Sequence, residues 1–194
     1  MNSKLKEKYL LFKLRTKKDP EVFGKIYDLY VSQIYRFIFF KVSNKEEAED
    51  LTANVFLRTW QYINEMGAET IGNLQAFLYQ VARNAVIDFY REKAQRGLTS
   101  SEDLKIELKD QGQNLAEKIQ NSSMLEEVQD ALQQLKDEYR EVVILRFIEE
   151  MNVSETAKIL GKSKGAVRVL LHRALKTLRE ILTETEEKLR EVRK

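Results

Sequence analysis

The sequence predicts an all-α protein of two small helical domains joined by a flexible linker, and three observations carry that prediction. A single Pro and seven Gly interrupt 194 residues, and good helix formers such as Leu, Glu, Lys, Arg and Gln are abundant. Apolar residues recur every three or four positions through both ends of the chain. Between those ends, residues 95–122 lose the period and become polar, rich in Gln, Ser, Asp and Lys, which is the composition of a tether. The expected domains are therefore 1–94 and 123–194, with 95–122 between them.

Residues 4–17 form a first amphipathic stretch. Asp19-Pro20-Glu21 reads as an N-cap with Pro at the first helical position, opening a helix to about Val42. Val22, Phe23, Ile26, Leu29, Tyr30, Ile34, Phe37 and Ile38 are its apolar positions. Asn44 is placed to cap a third helix over 45–62, with Glu46 and Glu47 in its first turn. Asn64 to Asn73 reads as a loop. A fourth helix over 74–93 lays Leu74, Phe77, Leu78, Val81, Ala85, Val86 and Phe89 along one face.

The C-terminal domain reads as four helices. Met124, Leu125, Val128, Ala131, Leu132 and Leu135 define the first, and Val142, Val143, Leu145, Phe147 and Ile148 the second. Ser154 opens a short third helix with Ala157, Ile159 and Leu160. Gly161-Lys162-Ser163 is a tight turn whose Ser caps a longer fourth helix carrying Val167, Leu170, Leu171, Ala174, Leu175, Leu178 and Leu182.

Charge is segregated although the formal net is only +2. Residues 1–18 carry seven Lys/Arg against one acid, residues 154–180 seven against two, and residues 102–150 six against thirteen acids. Two basic ends and an acidic middle suit a protein that meets phosphate in some places and not in others. The absence of Cys excludes a disulfide framework and thiolate metal ligation. One His, no phosphate-cradling glycine loop and no nucleophile elbow leave no expected catalytic residue, metal site or cofactor. No apolar run is long enough to span a bilayer. The N-terminus lacks the features of a signal peptide, and the expected location is cytoplasmic.

The sharpest motif is SETAKILGKSKGAVRVLLHRALKTL, residues 154–178. A short helix, a Gly-centred turn and a longer helix follow the helix-turn-helix plan. Small Ala157 lets the helices approach, and Gly161 can take the left-handed conformation that ends the first. With Val167 and Leu171 anchoring the second helix, Lys164, Arg168 and His172 share a solvent face. Such donors suit phosphates and guanine edges in a major groove. The backbone N–H groups at the helix start can hold a further phosphate. A helical hairpin with a merely solvated basic face is the plain alternative; the coincidence of turn, cap and charge favours DNA.

The stretch ALQQLKDEYREVVILRFIEEMNVSETAKILGKSKGAVRVLLHRALKTLREIL resembles region four of the extracytoplasmic-function sigma factors of bacterial RNA polymerase. FGKIYDLYVSQIYRFIFFKVSNKEEAEDLTANVFLRTWQYI and NLQAFLYQVARNAVIDFYREKAQR resemble region two. The resemblance implies a factor that binds core RNA polymerase and directs promoter-specific initiation. The N-terminal domain would recognise and melt the −10 element, and the C-terminal helix-turn-helix would bind the −35 duplex. It makes Lys162, Ser163, Lys164, Gly165, Arg168, His172 and Arg173 candidates for the −35 duplex. Arg83, Asn84, Asp88, Tyr90, Arg91 and Lys93 become candidates for the −10 strand, with Tyr90 as the base-stacking aromatic, and Asp50, Asn54, Leu57 and Arg58 candidates for the polymerase clamp. Expected partners are core RNA polymerase, promoter DNA and an anti-sigma factor, without membrane insertion. The chain departs from the family pattern at Ala53-Asn54, where Gln-Glu is frequent, and at Ala166, Val169 and Leu170, where Thr, Ser and Arg are frequent. A stand-alone helix-turn-helix regulator, and a sigma-like interaction protein that has lost promoter reading, are the alternatives.

Overall fold

A computed structural model describes residues 3–16, 18–42, 44–95 and 127–192, and every regular element among them is a helix. Two compact units result, one centred on residues 1–99 and the other on residues 100–157 and 162–194. Of the tether expected over 95–122, Gln95 closes a helix and the rest lies outside the described residues, as do Met124 and Leu125.

The N-terminal unit contains α1 (Ser3–Thr16), α2 (Pro20–Val42), α3 (Lys45–Met66) and α4 (Leu74–Gln95). The expected caps close locally. Asp19 Oδ1 accepts the Glu21 N–H at 2.9 Å, and Asn44 Oδ1 accepts the Glu47 N–H at 2.9 Å, each satisfying a donor that the first turn leaves without a partner. The central helix α2 packs on α1, α3 and α4. Its buried stripe Val22, Ile26, Tyr30, Ile34 and Phe37 keeps the helical period. Phe37 meets Tyr79 of α4 edge-on at 5.2 Å, and Tyr27 meets Phe56 of α3 at 4.8 Å; such pairs add about 0.5–1.5 kcal/mol beyond their buried area. Buried Thr52 and Thr59 donate to the carbonyls of Ala48 and Val55, so neither hydroxyl is stranded. Burial, then the neighbouring Glu7 carboxylate of α1, pushes the Tyr30 hydroxyl far above its ordinary range.

The loop expected over 64–73 is shorter than that. α3 runs on to Met66, Gly67 ends it at φ 85°, and a single 3-10 turn spans Ala68–Thr70. The reason is tertiary: Arg15 of α1 donates to the carbonyls of Ala68 and Ile71, at 3.4 and 3.0 Å, and orders the segment.

The C-terminal unit contains α5 (127–133), α6 (Asp137–Val143), α7 (Val153–Leu160) and α8 (Lys164–Val192). Ala131, Leu132, Leu135, Val142, Val143, Leu145, Met151, Val167, Leu170 and Ala174 are buried. Beyond α6 the backbone widens into a π turn over Ile144–Ile148. The extra residue in that turn rotates the following positions, and Phe147, expected in the apolar face, is 56% exposed. Arg140 is buried, and its guanidinium donates to the carbonyls of Leu132, Gln133 and Leu135, capping the end of α5. Ser154 does not open α7. Asn152 does, its Oδ1 accepting from the N–H groups of Ser154 and Glu155 while the Glu155 carboxylate accepts the Asn152 N–H at 3.0 Å, a reciprocal capping box.

Candidate DNA and polymerase interfaces

The start of α8 is set by short-range chemistry. Gly161 takes φ 62°, and the Lys162 N–H returns to the Ala157 carbonyl at 3.0 Å, which closes α7 and turns the chain sharply. Ser163 Oγ then accepts the Ala166 N–H at 3.1 Å. A Cβ at Gly161 would meet nothing within 4 Å, so its requirement is conformational and not steric.

Burial fixes the rotation of α8. Val167, Leu170 and Ala174 face inward, while Leu171 is only half-buried. The expected anchor Leu171 is thus replaced by Leu170, one residue earlier, because the inner stripe follows the i, i+3, i+7 row. Leu170, 9% exposed, therefore gives most of its surface to the core, where its departure from the family pattern mainly falls. Lys162, Ser163, Lys164, Gly165, Arg168, His172 and Arg173 are all exposed. None of the cations among them is held in an ion pair among the described residues. Opposite the inner stripe, the middle of the outer face is Gly165, Val169 and His172, with Arg168 and Arg173 on its flanks.

In the N-terminal unit, Asp50, Asn54, Leu57 and Arg58 lie along one exposed face of α3, and Leu57 is 55% exposed. That face joins α4 through charge. Arg58 lies 3.1 Å from Asp88, and Arg91 lies 4.0 Å from the other oxygen of the same carboxylate. Lys93 pairs with Glu47 at 3.2 Å and sits over the Phe89 ring. Tyr90 is 38% exposed, and its hydroxyl donates to the Lys41 carbonyl at the end of α2, at 2.8 Å. The Phe89 and Tyr90 rings meet edge-on at 5.3 Å. The residue expected to stack on a base is thus also a strut between helices. Asn84 is exposed and Arg83 half-buried.

The structure adds a groove that the sequence reading passed over. Tyr27, Val31 and Tyr35 of α2 and Glu49, Thr52 and Ala53 of α3 line a depression of about 530 Å³. Tyr27, Val31 and Tyr35 follow an i, i+4, i+8 row, a second apolar ridge hidden by the stronger core stripe. Burial, then Glu49, pushes the Tyr35 hydroxyl up. Among the described residues, no group of three or more His, Asp or Glu is placed to hold a metal ion, and no helix is long and apolar enough to cross a membrane.

Comparison with known proteins accounts for both units. Residues 26–96 match the family model of Sigma-70 region 2, and residues 125–178 that of Sigma-70, region 4. The ECF RNA polymerase sigma factor SigX of Bacillus subtilis is 32% identical over 163 residues, 82% of this chain and 83% of that protein. The ECF RNA polymerase sigma factor BldN of Streptomyces coelicolor is 33% identical over 167 residues, 84% of this chain but only 61% of that longer protein. The sigma factor RpoE of Bartonella quintana, solved in complex with the anti-sigma factor NepR, has a TM-score of 0.58 and 26% identity, covering 83% of this chain and 96% of that one.

Proposed function

The chain belongs to the extracytoplasmic-function class of sigma-70 family RNA polymerase sigma factors, and from that premise we propose a division of labour between its two helical units. As a member of the class it directs promoter-specific transcription initiation and is a regulatory protein, not an enzyme. Domain 1–94 docks on the clamp of core RNA polymerase through Asp50, Asn54, Leu57 and Arg58. There an exposed leucine between an acid, an amide and a cation offers one apolar anchor with polar neighbours. The same domain recognises and melts the −10 element. Arg83, Asn84, Arg91 and Lys93 follow the separated strand, and Tyr90 contacts it, while Asp88 holds Arg91 and, from α3, Arg58 in place.

Domain 123–194 binds the −35 duplex with α8 in the major groove. One observation carries this reading: a row of exposed cations on a helix whose rotation is locked by Val167, Leu170 and Ala174 and whose start is set by Gly161 and Ser163. Residues 95–122 tether the domains, so that engagement of one promoter element raises the effective concentration of the other domain at the second. An anti-sigma factor is the remaining partner of this reading, supported by the similar sigma factor RpoE having been solved in complex with the anti-sigma factor NepR. The place of action is the cytoplasm, where polymerase and promoters are.

The test is run-off transcription with core polymerase of the host and fragmented host DNA, with and without this protein. New start sites sharing paired upstream elements are expected, and a Lys164→Ala, Arg168→Ala variant loses most of them. Binding to core without new transcripts would move the reading to an interaction protein. Binding to DNA but not to core would make it a stand-alone regulator.

A further inference from the structure

Resting on the reading that α8 enters the major groove, we propose that Val169, with Ala166 beside it, reads thymine methyl groups. Part of the upstream element is then specified by apolar contact and not by hydrogen bonding. Val169 stands in the middle of the outer face, 52% exposed, with Arg168 and Arg173 on its flanks. A β-branched residue exposed in a helix contributes neither core packing nor favourable propensity, so its place amid a cationic face is not explained by folding. Ala166, Val169 and the nearly buried Leu170 form an apolar wall of a shallow depression of about 320 Å³, which Tyr139 extends and Lys162, Arg173 and Glu138 border. Cations at the edge of an apolar wall can hold phosphates while the wall meets a base edge.

The major groove offers one apolar feature, the 5-methyl group of thymine. Against a guanine, adenine or cytosine edge, Val169 supplies neither donor nor acceptor and leaves a desolvated polar group without a partner. Against thymine it buries a methyl group, a gain of roughly fourfold in affinity. The two effects select for thymine from opposite directions.

The test starts from holoenzyme, formed from the full chain and core polymerase, selected against a duplex pool randomised over the upstream element. Selected duplexes are then rebuilt with deoxyuridine at single thymine positions, which removes only the methyl group. Holoenzyme of the unchanged protein is expected to lose about fourfold in affinity at one or two positions, and Val169→Ser to lose nothing further there and to relax the base preference at those positions. Val169 is exposed, so the variant is expected to keep its thermal unfolding midpoint, read by circular dichroism. A selected motif with no deoxyuridine-sensitive position, or with the same sensitivity in Val169→Ser, would overturn the inference and leave promoter reading intact. No selected motif at all would overturn both.

Discussion

Two helices carry the residues assigned to DNA, and they hold their charges in opposite ways. Along α4, Asp88 is shared by Arg58 and Arg91, Lys93 is paired with Glu47, and Tyr90 is fastened to the carbonyl of Lys41. Along α8, Lys164, Arg168, His172 and Arg173 stand exposed, outside any ion pair among the described residues. A phosphate arriving at α8 displaces only water and counterions. One arriving at α4 competes with carboxylates already in place. The exposed Asp88 pairs are worth at most about 1 kcal/mol each, so Arg58 and Arg91 can be released at small cost, while the half-buried Lys93–Glu47 pair is held more firmly; all are pre-positioned by their partners. Under the proposed function, the difference suits one set to electrostatic capture of an intact duplex and the other to the fixed geometry that a separated strand requires.

The largest test breaks the scaffold of only one side. Phe37→Ala removes the ring that meets Tyr79 in the N-terminal core, where both are fully buried, and is expected to cost about 3–5 kcal/mol. Denaturant melts should show loss of N-terminal structure while upstream duplex binding by the C-terminal unit persists; loss of both would deny that the units are separable. Next in size, Lys164→Ala with Arg168→Ala should lower duplex affinity by about 10- to 100-fold and reduce the slope of log K against log salt by about two. Equal weakening by Arg91→Ala with Lys93→Ala in the same titration would abolish the proposed asymmetry.

A smaller effect sharpens the geometry of α8. Ser163→Ala removes the acceptor for the Ala166 N–H and should cost about 1 kcal/mol of stability, read as a lowered melting midpoint. The smallest effect belongs to Asp88→Asn. It loosens Arg58 and Arg91 and should change stability by less than about 1 kcal/mol, yet slow promoter opening measured by permanganate footprinting. A stability loss of several kcal/mol would instead make Asp88 a structural residue.

The helices were legible because their signals repeat. Asn44 before Glu46 and Glu47, Pro20 after Asp19, and Gly161 before Ser163 each announce a boundary within a few residues. Ser154 was misleading for the same reason that Asn152 succeeded. Both can cap, and the choice depends on which one finds Glu155 at the right distance to complete the reciprocal bonds. Phe147 could not be read as exposed, because a π turn leaves no signature in apolar spacing. The groove beside Tyr27, Val31 and Tyr35 was hidden because the same helix carries a stronger buried stripe, and only the approach of α3 gives the second ridge a wall.

By itself, then, the sequence determined what can be settled within about one turn of chain: that the segments are helices, the caps at Asp19, Asn44 and Ser163, and that α8 follows a tight turn with cations outward. Caps and turns are bonds between near neighbours, and periodicity is a property of the segment alone. Only the tertiary structure decided that Leu170 and not Leu171 turns inward, that Val169 occupies the middle of the outer face, that Arg140 caps α5, and that Arg58 of one helix meets Asp88 of another. Each of these depends on how a helix is rotated and seated against its neighbours. A step of one residue turns a side chain by about 100°, so the partners a helix packs on, and not its own composition, select which of two adjacent side chains meets the core and which meets the outside.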